Sequence, residues 1–255
     1  MGASLYPDWF PKWALDYCLQ HSAMIVAADY RLMPESNGLD IMEDLSDFWT
    51  WVRQSLQDHL SKARPGIEAD QEKIIAYGES AGGTLAIQSG FVQPPGFIRA
   101  VIATYPVLDF GAKRPALMDA PTIPPNILEE FLKTIEPGKI VTSAEPPARR
   151  QVVLSIVQQG RMLDLFGVDE SLFPMSVLQT LDDMPFVLIL HGKDDMAVPV
   201  EGSVRFAELV KQKFGSGKVD LRIEPGEHGF DGSATLDMTW LEESLSRMTE
   251  LWLGR

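Results

Sequence analysis

The feature that most limits how this chain can fold is an alternation between two hydrophobic periods. Five short runs rich in Val, Ile and Leu recur along it: MIVAADY (24–30), KIIAYG (73–78), RAVIATYP (99–106), MPFVLILHG (184–192) and KVDLRIEPG (218–226). Helical patterns stand between them. After the first run Ile41, Leu45, Phe48, Trp49, Val52 and Leu56 repeat at spacings of three and four. AGGTLAIQSGF follows the second run, VEGSVRFAELVKQKFG the fourth, and LDMTWLEESLSRMTELW the fifth. Apolar runs of this length read as strands, and the three-and-four spacing reads as helix. A near-continuous apolar strand must be covered on both faces, so the order predicts an α/β fold, a mostly parallel sheet flanked by helices.

Residues 111–179 break this rhythm. They carry the proline-rich punctuations PTIPPN and AEPPARR around the helical patterns ILEEFLKTI and QVVLSIVQQGRMLDLF, with no strand-like run. We read an α/β core formed by residues 1–110 and 180–255, with a helical cap inserted at 111–179. The cap residues Phe131, Leu132, Leu154, Ile156, Met162, Leu163 and Phe166 are expected to offer apolar surface to a hydrophobic acyl or alcohol group.

Composition narrows the partners. The 36 Asp and Glu exceed the 22 Lys and Arg, giving a formal net charge of −14. Phosphate binding is driven by basic side chains that release counterions, so no nucleic acid partner is expected. No apolar run approaches the length of a membrane span, and the start MGASLYPDWF lacks the basic and apolar regions of a signal peptide. A cytoplasmic location follows as an expectation. The single Cys18 lies in a helical pattern and reads as a packing residue. No HExxH or similar spacing occurs, so neither a metal nor another cofactor is expected.

In parallel α/β sheets ligands sit beyond the carboxyl ends of strands, so polar residues at strand exits are the candidates for chemistry. Ser80 leaves the second run in YGESAGG, Asp194 and Asp195 leave the fourth in HGKDDMAVP, and His228 follows the fifth in EPGEHGFDG. Serine, acid, histidine is the order of a nucleophile on a sharp strand-to-helix turn, and Gly78 and Gly82 are read as relieving the cramped backbone there. A serine hydroxyl is a weak nucleophile until an imidazole accepts its proton, and a carboxylate fixes the imidazole tautomer. His21, His59 and His191 are read as structural.

GESAGG (78–83), DYRLMPE (29–35), HGKDDMAVP (191–199) and EHGF (227–230) together resemble the α/β-hydrolase fold, and in particular its hormone-sensitive-lipase-like carboxylesterase branch. The resemblance implies a nucleophile at Ser80 and a histidine base at His228. It implies an oxyanion and substrate-binding side built from Glu79, Ala81 and Gly82, with the Ala81 N–H as a donor, and structural roles for Arg31 and Glu35. Aligned on the HGxxDxxVP pattern of such hydrolases, the acid falls on Asp195, with Asp194 as second candidate.

Members of the branch carry an HGGG segment before the region that MGASLYPDWF resembles. The resemblance therefore implies a fold truncated at the N-terminus and an incomplete oxyanion site, with Gly2 or Ala3 at most a weak substitute donor. It also implies that the run 24–30 either pairs directly with the run 73–78 in a five-stranded sheet or leaves an exposed edge. The activity implied is serine-dependent hydrolysis of a small, hydrophobic carboxylic ester. A biosynthetic cyclase, lyase or acyl transferase, or a catalytically impaired binding relative, is the alternative.

Overall fold

A computed structural model describes residue 6 and residues 9–111, 121–145 and 147–254. The first half of the chain holds α1 (Lys12–Gln20), α2 (Gly38–Ala63), β1 (Ile74–Glu79), α3 (Ala81–Val92), β2 (Ile98–Thr104) and α4 (Asn126–Lys133). The second holds α5 (Arg150–Gln158), α6 (Met162–Phe166), α7 (Pro174–Thr180), β3 (Phe186–Gly192), α8 (Glu201–Phe214), β4 (Val219–Glu224) and α9 (Thr239–Leu253). The chain divides into two compact units.

The sheet unit comprises Phe10–Ile25, Phe48–Leu108 and Phe173–Arg255. Its four strands are all parallel, in the order β1-β2-β3-β4, as the α/β reading requires. Every residue of β3 is buried, and all but Arg99 of β2, which explains why these strands read as continuous apolar runs rather than alternating ones. One face is covered by α1 and α9: Trp13 and Tyr17 pack with Ile102, Leu188 and Leu190 against Leu241, Leu245, Met248 and Trp252. The last four recur at spacings of four, three and four, a helix face turned to the core. α3 packs on β1 and β2 and α8 on β4, and Phe91 stacks on Phe206 at 6.4 Å.

The run 24–30 does not form the expected fifth strand. It has no regular secondary structure, and Met24, Ile25, Ala27, Ala28 and Asp29 are exposed. A strand exists only with a ladder partner, and this run is divided between the two units at Ile25 and Val26. Its hydrophobicity is therefore not a record of sheet burial.

The helical unit comprises Met1–Trp9, Val26–Asp47 and Asp109–Leu172. The start of α2 is closed by a reciprocal cap, in which Asn37 Oδ1 accepts the Asp40 N–H at 3.1 Å and Asp40 Oδ2 accepts the Asn37 N–H at 2.8 Å. Arg31 bonds Asp44 at 2.9 Å and Glu43 at 2.8 Å. Arg149 grips Glu35 in a two-point ion pair, donates to the Met33 carbonyl at 3.0 Å and lies over the Phe131 ring. The DYRLMPE segment thus organises its own unit. Of the cap residues expected to face a substrate, Ile156 is buried with Leu128 and Val152, and Phe131, Leu132 and Met162 pack on that cluster, because helices this short need the apolar area to cohere. Among the described residues no helix is long and apolar enough to cross a membrane.

Candidate active site

Ser80 sits between the last residue of β1 and the first of α3, with φ 53° and ψ −119°. A non-glycine residue with positive φ is strained, and the surroundings fix it here. The Ser80 N–H donates to the Thr104 carbonyl at 2.9 Å, and the Ser80 carbonyl accepts the N–H of Val107 at 3.2 Å. Gly78 is obligatory: a β-carbon there would lie 2.1 Å from the Gly82 carbonyl oxygen. Gly82 is not, since a β-carbon on it would meet open space. The turn is cramped on the strand side, and the sequence reading of a glycine requirement at Gly82 is corrected accordingly.

The two acid candidates separate cleanly. Asp195 is buried; its Oδ1 accepts the N–H groups of Ala197 at 2.8 Å and Val198 at 2.7 Å, and its Oδ2 accepts from His228 Nδ1 at 2.8 Å. Burial alone would raise its pKa, but hydrogen bonding with His191 and His228 and the backbone amides outweighs it and holds the carboxyl well below the usual range. Asp194 instead uses its backbone N–H to reach the Gly226 carbonyl at 2.9 Å, and its Oδ2 accepts the Gly226 N–H at 3.3 Å. It braces the loop that carries His228. His191 is fully buried, with Nε2 2.8 Å from the Val198 carbonyl and Nδ1 2.8 Å from Ser203 Oγ. A carbonyl can only accept, so Nε2 carries hydrogen and His191 supports the turn around Asp195.

His228 donates through Nδ1 to a carboxylate, which leaves Nε2 as the position able to take up a proton when the ring is neutral. Among the described residues no hydrogen bond joins Ser80 to His228. Tyr105, the residue after the Thr104 that accepts the Ser80 N–H, has φ 38° and lies with its ring centroid 4.4 Å from that of His228. Catalytic hydrogen bonds are often long in ligand-free enzymes and tighten on substrate binding.

Ala81, Gly82 and Gly83 open α3, so their N–H groups fall among the first amides of a helix, which lack intrahelical partners and suit a developing negative charge. Gly2 and Ala3 lie outside the described residues. Glu79, expected on the oxyanion side, accepts from the Tyr105 hydroxyl at 3.1 Å. Burial, reinforced by the charge of Asp231, pushes its carboxyl up to about 7. Asp231 is buried beside it, held by the Trp13 indole N–H at 2.9 Å, and burial raises its pKa too. Tyr105, Trp13 and Asp231 were missed in the sequence; only the strand-exit positions of Tyr105 and Asp231 hinted at them. Among the described residues no group of three or more His, Cys, Asp and Glu is arranged to hold a metal ion.

Residues 6–159 match a family model described as the α/β-hydrolase fold. The chain belongs to that family. Among its relatives, a probable carboxylesterase, M8, of a Phoma species is 29% identical over 99% of this chain and 82% of its own length. A non-reducing polyketide synthase, Preu6, of Preussia isomera is 26% identical over 84% of this chain and 12% of that much longer protein. The solved structure of an α/β-hydrolase superfamily protein from Enterococcus faecalis superposes with a TM-score of 0.67 at 16% identity, covering 100% of this chain and 87% of that one. The α/β-hydrolase elbow, acid turn and histidine loop of this chain all lie in its sheet unit.

Proposed function

We propose that this α/β-hydrolase is a serine-dependent hydrolase of small carboxylic esters. The observation that carries the reading is the His228 Nδ1 to Asp195 Oδ2 hydrogen bond, formed between loops that leave adjacent parallel strands, in the sheet whose β1 exit carries the strained Ser80. In the reaction Ser80 Oγ bonds to the carbonyl carbon as His228 Nε2 takes its proton, and the carbonyl π electrons move to oxygen. The first amides of α3, Ala81 foremost, stabilise that oxyanion. The oxyanion re-forms the carbonyl, the alcohol leaves with the proton from His228, and water repeats the sequence to release the acid and free Ser80. Asp195 fixes the imidazole tautomer and stabilises the imidazolium.

In the same reading the catalytic core comprises residues 1–110 and 180–255, and residues 111–179 are a helical cap insertion. The likeness to a probable carboxylesterase over 99% of the chain supports the ester class. The likeness to part of a polyketide synthase favours a second reading, in which the acyl group is polyketide-like and passes to an acceptor other than water. Labelling with a fluorophosphonate tests the nucleophile: wild type should react and Ser80→Ala should not. Turnover of p-nitrophenyl esters, followed by product analysis with an added alcohol, separates hydrolysis from acyl transfer. Labelling that persists at wild-type level in Ser80→Ala would overturn the assignment.

A further inference from the structure

Behind the histidine lies a polar cluster that the proposed reaction does not use. Glu79 ends β1, Tyr105 follows β2, Asp231 follows β4, and α1 contributes the Trp13 indole. Tyr105 touches both layers: its hydroxyl donates to Glu79 Oε1 at 3.1 Å and its ring packs 4.4 Å from His228. Asp231 is buried and Glu79 half-buried here, and among the described residues neither forms an ion pair with Lys or Arg. The groups facing Glu79 are Tyr77 on its own strand, Tyr105 from β2, and Asp231 and His228 from the loop after β4, so His228 is the one that can become a cation.

We infer that Glu79 is a positioning residue, which together with Asp231 seats the Tyr105 ring against His228 while the two carboxyls carry a single negative charge between them. This rests on the assignment of His228 as the base. The sparse hydrogen-bond inventory supports the shared proton. Trp13 supplies one N–H to Asp231 Oδ2, the Tyr105 hydroxyl supplies one hydrogen to Glu79, the Tyr77 hydroxyl faces Glu79 without a hydrogen-bond partner, and Asp231 Oδ1 is buried with no partner. A second ionised carboxylate would place two charges side by side in a half-buried site with few donors, at a cost that grows with burial. The proton prevents this. Burial and the Asp231 charge hold that proton on Glu79 up to about pH 7. Above that pH the second charge repels Asp231, the single Tyr105 hydrogen satisfies one carboxylate only, and the seat beneath His228 loosens.

The test is the pH dependence of Ser80 labelling by a fluorophosphonate between pH 5.5 and 9, in wild type, Glu79→Gln and Asp231→Asn. In wild type the rate should reach a maximum near pH 7 and fall about three- to tenfold on the alkaline side. Glu79→Gln removes the group that would take the second charge and Asp231→Asn removes the charge it would repel, each leaving a neutral hydrogen-bonding amide, so their rates should stay level there. An equal alkaline fall in both variants, or none in wild type, overturns the proposal. If wild type is not labelled at any pH, the serine-hydrolase reading fails separately. The melting temperature then still decides whether the carboxyl pair exists: it should drop from pH 5 to 8 by several degrees more in wild type than in Glu79→Gln, and equal drops overturn the pair.

Discussion

Gly192 lies so close to Gly226 that a β-carbon added to it would fall 2.5 Å from the Gly226 carbonyl oxygen and 2.8 Å from that of Glu227. The loop bearing His228 is thus seated directly on the exit of β3, where Lys193 and Asp194 donate backbone N–H groups to Glu224 and Gly226 at 2.7 and 2.9 Å. Gly192→Ala must push the loop away, since backbone atoms rather than a flexible side chain are in the way. We expect labelling of Ser80 to slow at least tenfold and stability to fall by about 1–3 kcal/mol, the usual cost of overpacking. Urea unfolding and labelling rates measured on the same protein check both.

The adjacent aspartates give a ranked prediction. Asp195→Asn keeps the shape but replaces the acceptor facing His228 with a group that can present the wrong donor, so esterase activity should fall by about 10³–10⁴. Asp194→Asn weakens one 3.3 Å bond to a backbone amide and should cost less than about tenfold. Steady-state kcat/KM for one ester across the two variants measures this, and the reverse ranking would move the acid to Asp194.

Most of the architecture was legible in the sequence, and the parts that were not share a cause. β2 and β3 announced themselves because both faces are buried, and Ser80, Asp195 and His228 because strand exits are where a parallel sheet exposes polar groups. The run 24–30 misled: its composition suits a strand, but pairing is decided by a partner that the run itself does not encode. Gly82 misled in the opposite way, since a glycine beside a tight turn need not be the one the turn requires. The Trp13, Glu79, Tyr105 and Asp231 cluster joins four separate stretches of chain, and no local pattern links them.

In the helical unit, Arg149 and Glu35 are the ion pair to test. Their side chains are 10% and 8% exposed, so removing one partner strands a charge away from water. Arg149→Met should destabilise that unit by about 3–5 kcal/mol, whereas Arg149→Met with Glu35→Leu should recover much of the loss, because an apolar pair replaces an ionic one at small net cost. Hydrogen exchange of amides in α5 distinguishes loss confined to this unit from global unfolding.

Two carboxyls of the sheet unit pull stability in opposite directions with pH. Asp195 is held below the usual range in the folded state. Its contribution is therefore present above the unfolded value near 3.8 and is lost as pH falls through the folded one. Glu79 is raised from 4.5 to about 7, so its contribution is complete below 4.5 and is lost as pH rises to about 7. Stability should consequently peak on the acid side of neutrality, near pH 4–5, as far as these two groups govern it. Glu79→Gln removes the alkaline decline, worth about 1–3 kcal/mol for a shift of this size in a partly solvated group. Asp195→Asn removes the acid one. Urea unfolding free energies at half-unit steps from pH 3 to 8 should therefore show, as far as Asp195 governs it, a constant gap between the wild-type curve and that of Asp195→Asn above about pH 4, which begins to narrow as pH falls toward 3. A wild-type curve that rises steadily from pH 5 to 8 would show that Glu79 is ionised in the folded protein throughout, and that its burial is relieved by water.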